Sequence, residues 1–274
     1  MATLPTNTMQ ATVAKTVMVS GLGGLPVRAN VVEVGSGLPV VFLHGLVGLN
    51  DHWDEVVHRV RHTRRCILLQ LPLLDLEGDD CSIEGATELT ARFLKSYLNE
   101  PATLVGNSFG GHVALRLAIE RRDLVSGLIL AGASGLNERT TIREVQIRPS
   151  REWLEEKIGE LFHDRSKMNP ADVDRAFAEL SSRGHARAMV KLSRSARRNH
   201  LGDAIHKISA PTLLLWGKQD VVTPPDAVVE FTSKIRDTKV VWLEQCGHAP
   251  MIECPEPFAA GMLEFFAELE ARKR

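Results

Sequence analysis

The stretch Leu104-Val-Gly-Asn-Ser-Phe-Gly-Gly-His112, LVGNSFGGH, sets one serine between two glycines, after an apolar run and before a helix-like segment. ATLVG reads as a buried strand. GGHVALRLAIERR has the small residues and amphipathic period of a helix packed tightly on a sheet. A sharp strand-to-helix turn needs side-chain-poor neighbours, because a Cβ two residues either side of Ser108 would collide across the bend; Gly106 and Gly110 supply them. The Ser108 hydroxyl is then expected to stand above the sheet. The pentapeptide alone equally suits a glycine-rich turn whose serine caps a helix, so the rest of the chain decides.

Working outward, apolar runs rich in β-branched residues alternate with amphipathic helical patterns: PVVFLHG, CILLQLP, ATLVGNS, SGLILAG, PTLLLWG and TKVVWLEQCG. This alternation predicts crossover connections and a mostly parallel sheet, and the nearly continuous apolar strands suit a sheet covered on both faces. Ahead of them, KTVMVSGLGGLPVRANVVEVGSG reads as an antiparallel hairpin at the sheet edge. Between about Leu136 and Ile205 there is no strand signal, only helix-like segments, with helix starts at Ser150 and at Asn169-Pro170. We therefore expect an α/β fold in three parts: a core over 16–136, a helical lid over 137–205, and the rest of the core over 206–274. Such a lid would lie over the carboxyl edge of the strands, where these sheets bind ligands.

A serine hydroxyl becomes nucleophilic only when a base takes its proton, so a histidine held by a carboxylate is expected after later strands. TLLLWGKQD ends a strand at Asp220, and VVWLEQCGH ends the next at His248; Thr223 and the two prolines of VVTPPD read as a helix cap and first turn. VVFLHGLVG places His44-Gly45 at another strand end. The backbone amides of Phe109 and Leu46 are the expected oxyanion donors, with Val47 the alternative to Leu46. His44 orders that loop and, with Asn107, is a candidate for substrate contact.

At 274 residues and 44% hydrophobic, the chain can bury a large core. A net charge of −1 argues against recruiting nucleic acid or anionic lipid and favours a small-molecule substrate. No run approaches the ~20 apolar residues of a membrane span and the start lacks a signal-peptide pattern, so a cytoplasmic protein is expected. Cys66, Cys81, Cys246 and Cys254 form no C-x-x-C pair and read as buried thiols of a reduced compartment, although Cys246 stands two residues before His248. Histidine and cysteine spacings suggest no metal site, and no cofactor is expected. His112 reads as a histidine packed against the sheet. Arg183, Arg187, Lys191, Arg194 and Arg198 form a basic helical face, with Met189, Leu192 and Ala196 opposite. Oligomeric state is left open.

HG at 44–45, GNSFGG at 106–111, WGKQDVVTP at 216–224 and CGHAPMIECPEPF at 246–258 together resemble the α/β-hydrolase superfamily over nearly all of the chain outside the lid. The order Ser108, Asp220, His248 is the one that resemblance implies. GNSFGG with LILAGASGL and a short helical lid is also similar to the meta-cleavage product hydrolases, which split carbon-carbon bonds of dienoates. That likeness implies that Arg175 meets a substrate carboxylate; the alternative is that Arg175 lies on the outer lid surface paired with Asp172 or Glu179, at i−3 and i+4 along the helix. Those hydrolases usually have tryptophan after the histidine, where Ala249 stands here, and relatives usually show aspartate and glycine where Gln70 and Leu73 stand. The expected reaction is ester hydrolysis, with carbon-carbon cleavage second and peroxide or another acyl acceptor in place of water third. A hydrolase-fold receptor with little turnover is the alternative of another class.

Overall fold

The computed structural model describes residues 12–136 and 149–272. Among these residues eight strands form one sheet: β1 (Val13–Ser20), β2 (Pro26–Val34), β3 (Pro39–Leu43), β4 (Arg65–Gln70), β5 (Ala102–Asn107), β6 (Val125–Ala131), β7 (Thr212–Gly217) and β8 (Thr238–Leu243). Their order is β1-β2-β4-β3-β5-β6-β7-β8. Strands β3 to β8 pair in parallel, whereas the β1-β2 hairpin is antiparallel and joins the edge of β4. All six apolar runs and the hairpin are strands. The chain leaves β3 for β4 on one side and returns to β5 on the other, so the carboxyl ends of β3 and β5 flank the switch point where open α/β sheets bind ligands.

Strand residues alternate between two cores. Val41, Leu43, Leu104, Leu128, Leu130, Leu214 and Trp216 face α2 (Ile83–Tyr97) and α3 (Phe109–Glu120). Val40, Phe42, Val105, Ile129, Leu213 and Leu215 face α1 (Asp54–Val60) and α9 (Pro255–Ala271). With each large aliphatic or aromatic side chain worth roughly 1.5–3 kcal/mol on full burial, these two layers fix the sheet and so position its strand ends.

Among the described residues, three α-helices lie between β6 and β7: α4 (Arg151–Gly159), α5 (Pro170–Leu180) and α6 (Arg183–Arg198). Ser150 caps α4 by accepting the Trp153 N–H, and Asn169 caps α5 ahead of Pro170 at its first turn. Leu154, Val173, Ala176 and Leu180 form a small core of their own. On α6 the five basic residues are exposed, while Leu192 and Ala196 are buried. This segment is bonded to the sheet domain by Arg175 to Asp51, His185 to Asp75 and the Ser195 hydroxyl to the Ile83 N–H. The stretch from Asn137 to Arg148, within the expected lid, lies outside the described residues. Among the described residues no helix is long and apolar enough to cross a membrane.

His112 is completely buried in α3, as its packing reading expects. Burial, then the nearby Arg116 charge, pushes its pKa down to about 4. The unfolded chain takes up a proton below pH ~6.5 that the folded chain refuses until about pH 4, so this group costs stability as pH falls through that window. Wild type should therefore lose about 2 kcal/mol more than His112→Leu between pH 7 and pH 5. Urea unfolding at the two pH values checks it, and equal losses in the two proteins would contradict it.

Candidate active site

Strand β5 ends at Asn107 and α3 begins at Phe109, leaving Ser108 alone at the bend with φ 52° and ψ −118°. Such a backbone costs on the order of 1–3 kcal/mol and persists only where its surroundings impose it. Here the Ser108 N–H donates to the Ala131 carbonyl at 3.3 Å, and its carbonyl accepts the His112 and Ser134 N–H groups. A Cβ on Gly106 would lie 2.5 Å from the Gly110 carbonyl oxygen, and one on Gly110 would overlap the Leu43 and His44 carbonyls. Gly106 is thus required across the bend, as expected. Gly110 is required instead by the end of β3, which brings the loop at 44–48 against the nucleophile candidate.

Asp220 follows β7 and His248 follows β8. The two side chains are buried, with His248 Nδ1 2.9 Å from Asp220 Oδ2. The same oxygen accepts the Thr223 hydroxyl at 2.8 Å, while Oδ1 accepts the Val222 and Thr223 N–H groups at 2.8 and 2.9 Å. Burial alone would raise the Asp220 pKa, but the His248 charge and these bonds outweigh it and hold the carboxyl below its ordinary value. An ionised carboxylate only accepts, so in the neutral imidazole Nδ1 carries the proton and Nε2 is the nitrogen left to accept one. Ser108 and His248 line one cavity of about 210 Å³. Asp226, the other acid of this loop, is exposed in the first turn of α7 (Asp226–Lys234).

The cavity is mostly apolar. Trp153, Leu154 and Ile158 of α4, Leu180 of α5 and Met189 of α6 roof it, and Val222 and Met251 add to its wall. Its lysine, Lys157, is paired with Glu160 at 2.7 Å. Phe109 opens α3 and Leu46 sits in the loop after β3; neither backbone N–H has an acceptor among the described residues. The Val47 N–H has none either.

Several expected contacts fall elsewhere. Arg175 faces a neighbouring cavity of about 340 Å³ that Ser108 does not line. Its Nη1 is held by Asp51 at 2.5 Å and its Nη2 by Asp172, so both ends of the fork are already paired with carboxylates, while the buried Nε has no partner among the described residues. The Asn107 amide donates to the Ala131 and His248 carbonyls at 2.9 and 3.0 Å, tying β5 to the histidine loop, and the residue lines the same cavity as Ser108. His44 is buried, which lowers its pKa, and its ring bonds the Gly45 carbonyl at 2.7 Å within its own loop. Thr223 does not cap α7, whose cap position is Pro225; its hydroxyl bonds Asp220. Cys246 is buried and burial pushes its thiol well above the ordinary range, which leaves it unreactive.

The sequence reading passed over Thr223 as a partner of Asp220, although acid-x-x-Thr is the spacing of a local side-chain-to-backbone turn. It also missed Gly132, where a Cβ would lie 2.8 Å from His248 Nδ1, and Glu253, a buried acid in α8 (Pro250–Glu253).

Residues 40–261 match the family described as "Alpha/beta hydrolase family". The chain belongs to that family. Among alpha/beta hydrolases and their relatives, it is 28% identical over 264 residues, 89% of each chain, to the 2-hydroxy-6-oxo-6-(2'-aminophenyl)hexa-2,4-dienoic acid hydrolase of Metapseudomonas resinovorans. It is 26% identical, over 82% of this chain and 94% of the relative, to the pimeloyl-[acyl-carrier protein] methyl ester esterase of Nitrosomonas europaea. A serine hydrolase involved in carbazole degradation superposes with a TM-score of 0.79 at 25% identity, over 93% of this chain and 99% of that one. The mostly parallel sheet expected from the strand runs thus carries the α/β-hydrolase fold that the resemblance implied.

Proposed function

We propose that this alpha/beta hydrolase is a serine hydrolase that cleaves neutral carboxylic esters with an apolar acyl group. The observation that carries the reading is the buried Asp220–His248 pair at 2.9 Å, whose histidine lines one apolar cavity with Ser108 at its strained turn. In this reading Ser108 Oγ attacks the ester carbonyl while Nε2 of His248 takes its proton. Asp220, steadied by Thr223, holds the imidazolium that forms, and the Phe109 and Leu46 amides stabilise the oxyanion. His248 returns the proton to the departing alcohol and then activates the water that frees the acid. Helices α4 to α6, within the expected lid, act as the cap over the acyl site. The four cysteines stand as free thiols, which supports a reducing compartment and the cytoplasm as its location.

The likeness to a dienoic acid hydrolase supports carbon-carbon cleavage as a second reading. A dienoate carries a carboxylate that a dry cavity must pair. Arg175 is committed to two aspartates, Lys157 to Glu160, and Ala249 follows the histidine, so the ester reading is favoured. Kinetics on p-nitrophenyl butyrate and on a dienoate of similar size, for wild type and Arg175→Ala, test this. The ester should be the better substrate by kcat/KM, and the variant should change both substrates alike. A loss of about tenfold or more confined to the dienoate, the ~1.4 kcal/mol or more of a broken charge-assisted bond, would restore the carboxylate clamp.

A further inference from the structure

Behind His248 lies a buried carboxylate that the chemistry above does not use. Glu253 is 3% exposed, and its side chain is satisfied by backbone N–H groups instead of a cation. Oε1 accepts from His163 and Asp164, both at 3.0 Å, and Oε2 accepts from Gly247 at 2.5 Å. The Leu161 carbonyl accepts the N–H of His248 itself at 2.7 Å. Lys167 adds a bond from Nζ to the Glu253 carbonyl at 2.7 Å. The turn that follows α4 is therefore bonded on both sides of the Gly247–His248 peptide. A Cβ on Gly247 would lie 2.6 Å from the Leu161 oxygen and 2.8 Å from the His163 nitrogen, so backbone rests on backbone with no side chain between.

Charge-assisted bonds to a carboxylate are shorter and roughly twice as strong as neutral ones, and a buried acceptor that loses its donors cannot turn to water. The clamp thus makes one rigid piece of the α4 wall, which presents Trp153, Leu154 and Ile158 to the cavity, and the backbone that carries the imidazole. Resting on the reading of His248 as the base, we infer that Glu253 is a positioning residue: it locks the roof of the acyl cavity to the His248 backbone. The reach of Nε2 toward Ser108 is then set by the roof as well as by Asp220. Filling the cavity with an acyl chain would steady the base, which links substrate shape to proton transfer.

Glu253→Gln keeps the shape but replaces one acceptor with an N–H₂ group facing N–H donors. It should lower kcat for p-nitrophenyl butyrate by about 10- to 100-fold, the penalty typical of a base displaced by an ångström, with KM little changed. The rate constant for fluorophosphonate modification of Ser108 should fall by the same factor. A purely structural role would instead reduce the fraction of protein that reacts and leave that rate constant unchanged. Wild-type kcat and labelling rate in the folded variant would overturn the inference. If Glu253→Gln does not fold, Lys167→Met decides, since Lys167 is exposed and contributes a single bond to the clamp. A severalfold loss of kcat at constant KM supports the inference; wild-type kcat with a lowered Tm overturns it. Wild-type protein that neither labels nor turns over the ester would overturn the reading of the site itself, and this inference with it.

Discussion

Ser108→Ala is expected to lower kcat for p-nitrophenyl butyrate by about 10⁶-fold, close to the loss seen when a serine hydrolase is deprived of its nucleophile. The residual rate, roughly 10³ to 10⁴ over water, would come from the backbone donors and the cavity. Ser108 holds its position through its own N–H and carbonyl, not its hydroxyl, so the elbow should survive the change. Alanine at φ 52° pays the strain that serine already pays. The variant should therefore melt close to wild type and keep ester binding. Initial rates, with a thermal melt as control for folding, check both parts, and near wild-type turnover would remove Ser108 from the mechanism.

Asp220→Asn should cost about 10⁴-fold in kcat through a different route. The asparagine Oδ1 can still accept from Val222 and Thr223, so the loop is expected to stay in place. Its amide would point a donor at Nδ1 of His248, where the carboxylate accepts at 2.9 Å. The imidazole would then move its proton to Nε2 and have no lone pair to offer Ser108. Substrate binding should persist, because Asp220 is buried behind the histidine. Asp226→Asn, at an exposed helix start, serves as the control. A silent Asp220→Asn beside a crippled Asp226→Asn would reassign the acid.

The parts of this site that were legible in the sequence are those fixed by chain order and strand ends. Long apolar runs can be buried in few ways, so β3 to β8 were readable. Ser108, Asp220 and His248 each stand within a few residues of such a run. What stayed hidden depends on side chains from distant segments. The i−3 pairing of Arg175 with Asp172 lies within one helix and was foreseeable, but its bond to Asp51 spans 124 positions and only the folded chain creates it. Thr223 next to two prolines carries the local signature of a helix cap, and the competing local bond to Asp220 won. Glu253 is a charged residue in a helix-like stretch, where exposure is the ordinary expectation; three backbone donors reverse it. Asn107 and His44 sit beside the proposed reacting groups in sequence, yet the Asn107 N–H₂ group and the His44 ring are bonded to backbone carbonyls.

The most direct test is to treat the wild-type protein with a fluorophosphonate, locate the adduct by peptide mass spectrometry, and follow p-nitrophenyl butyrate turnover in the same samples. The account predicts one adduct per chain, on Ser108, with activity lost in step with labelling. An adduct on another residue that abolishes turnover, or Ser108 labelled in a protein that never turned the ester over, would contradict it; the latter result would make the chain a binding protein built on a hydrolase fold.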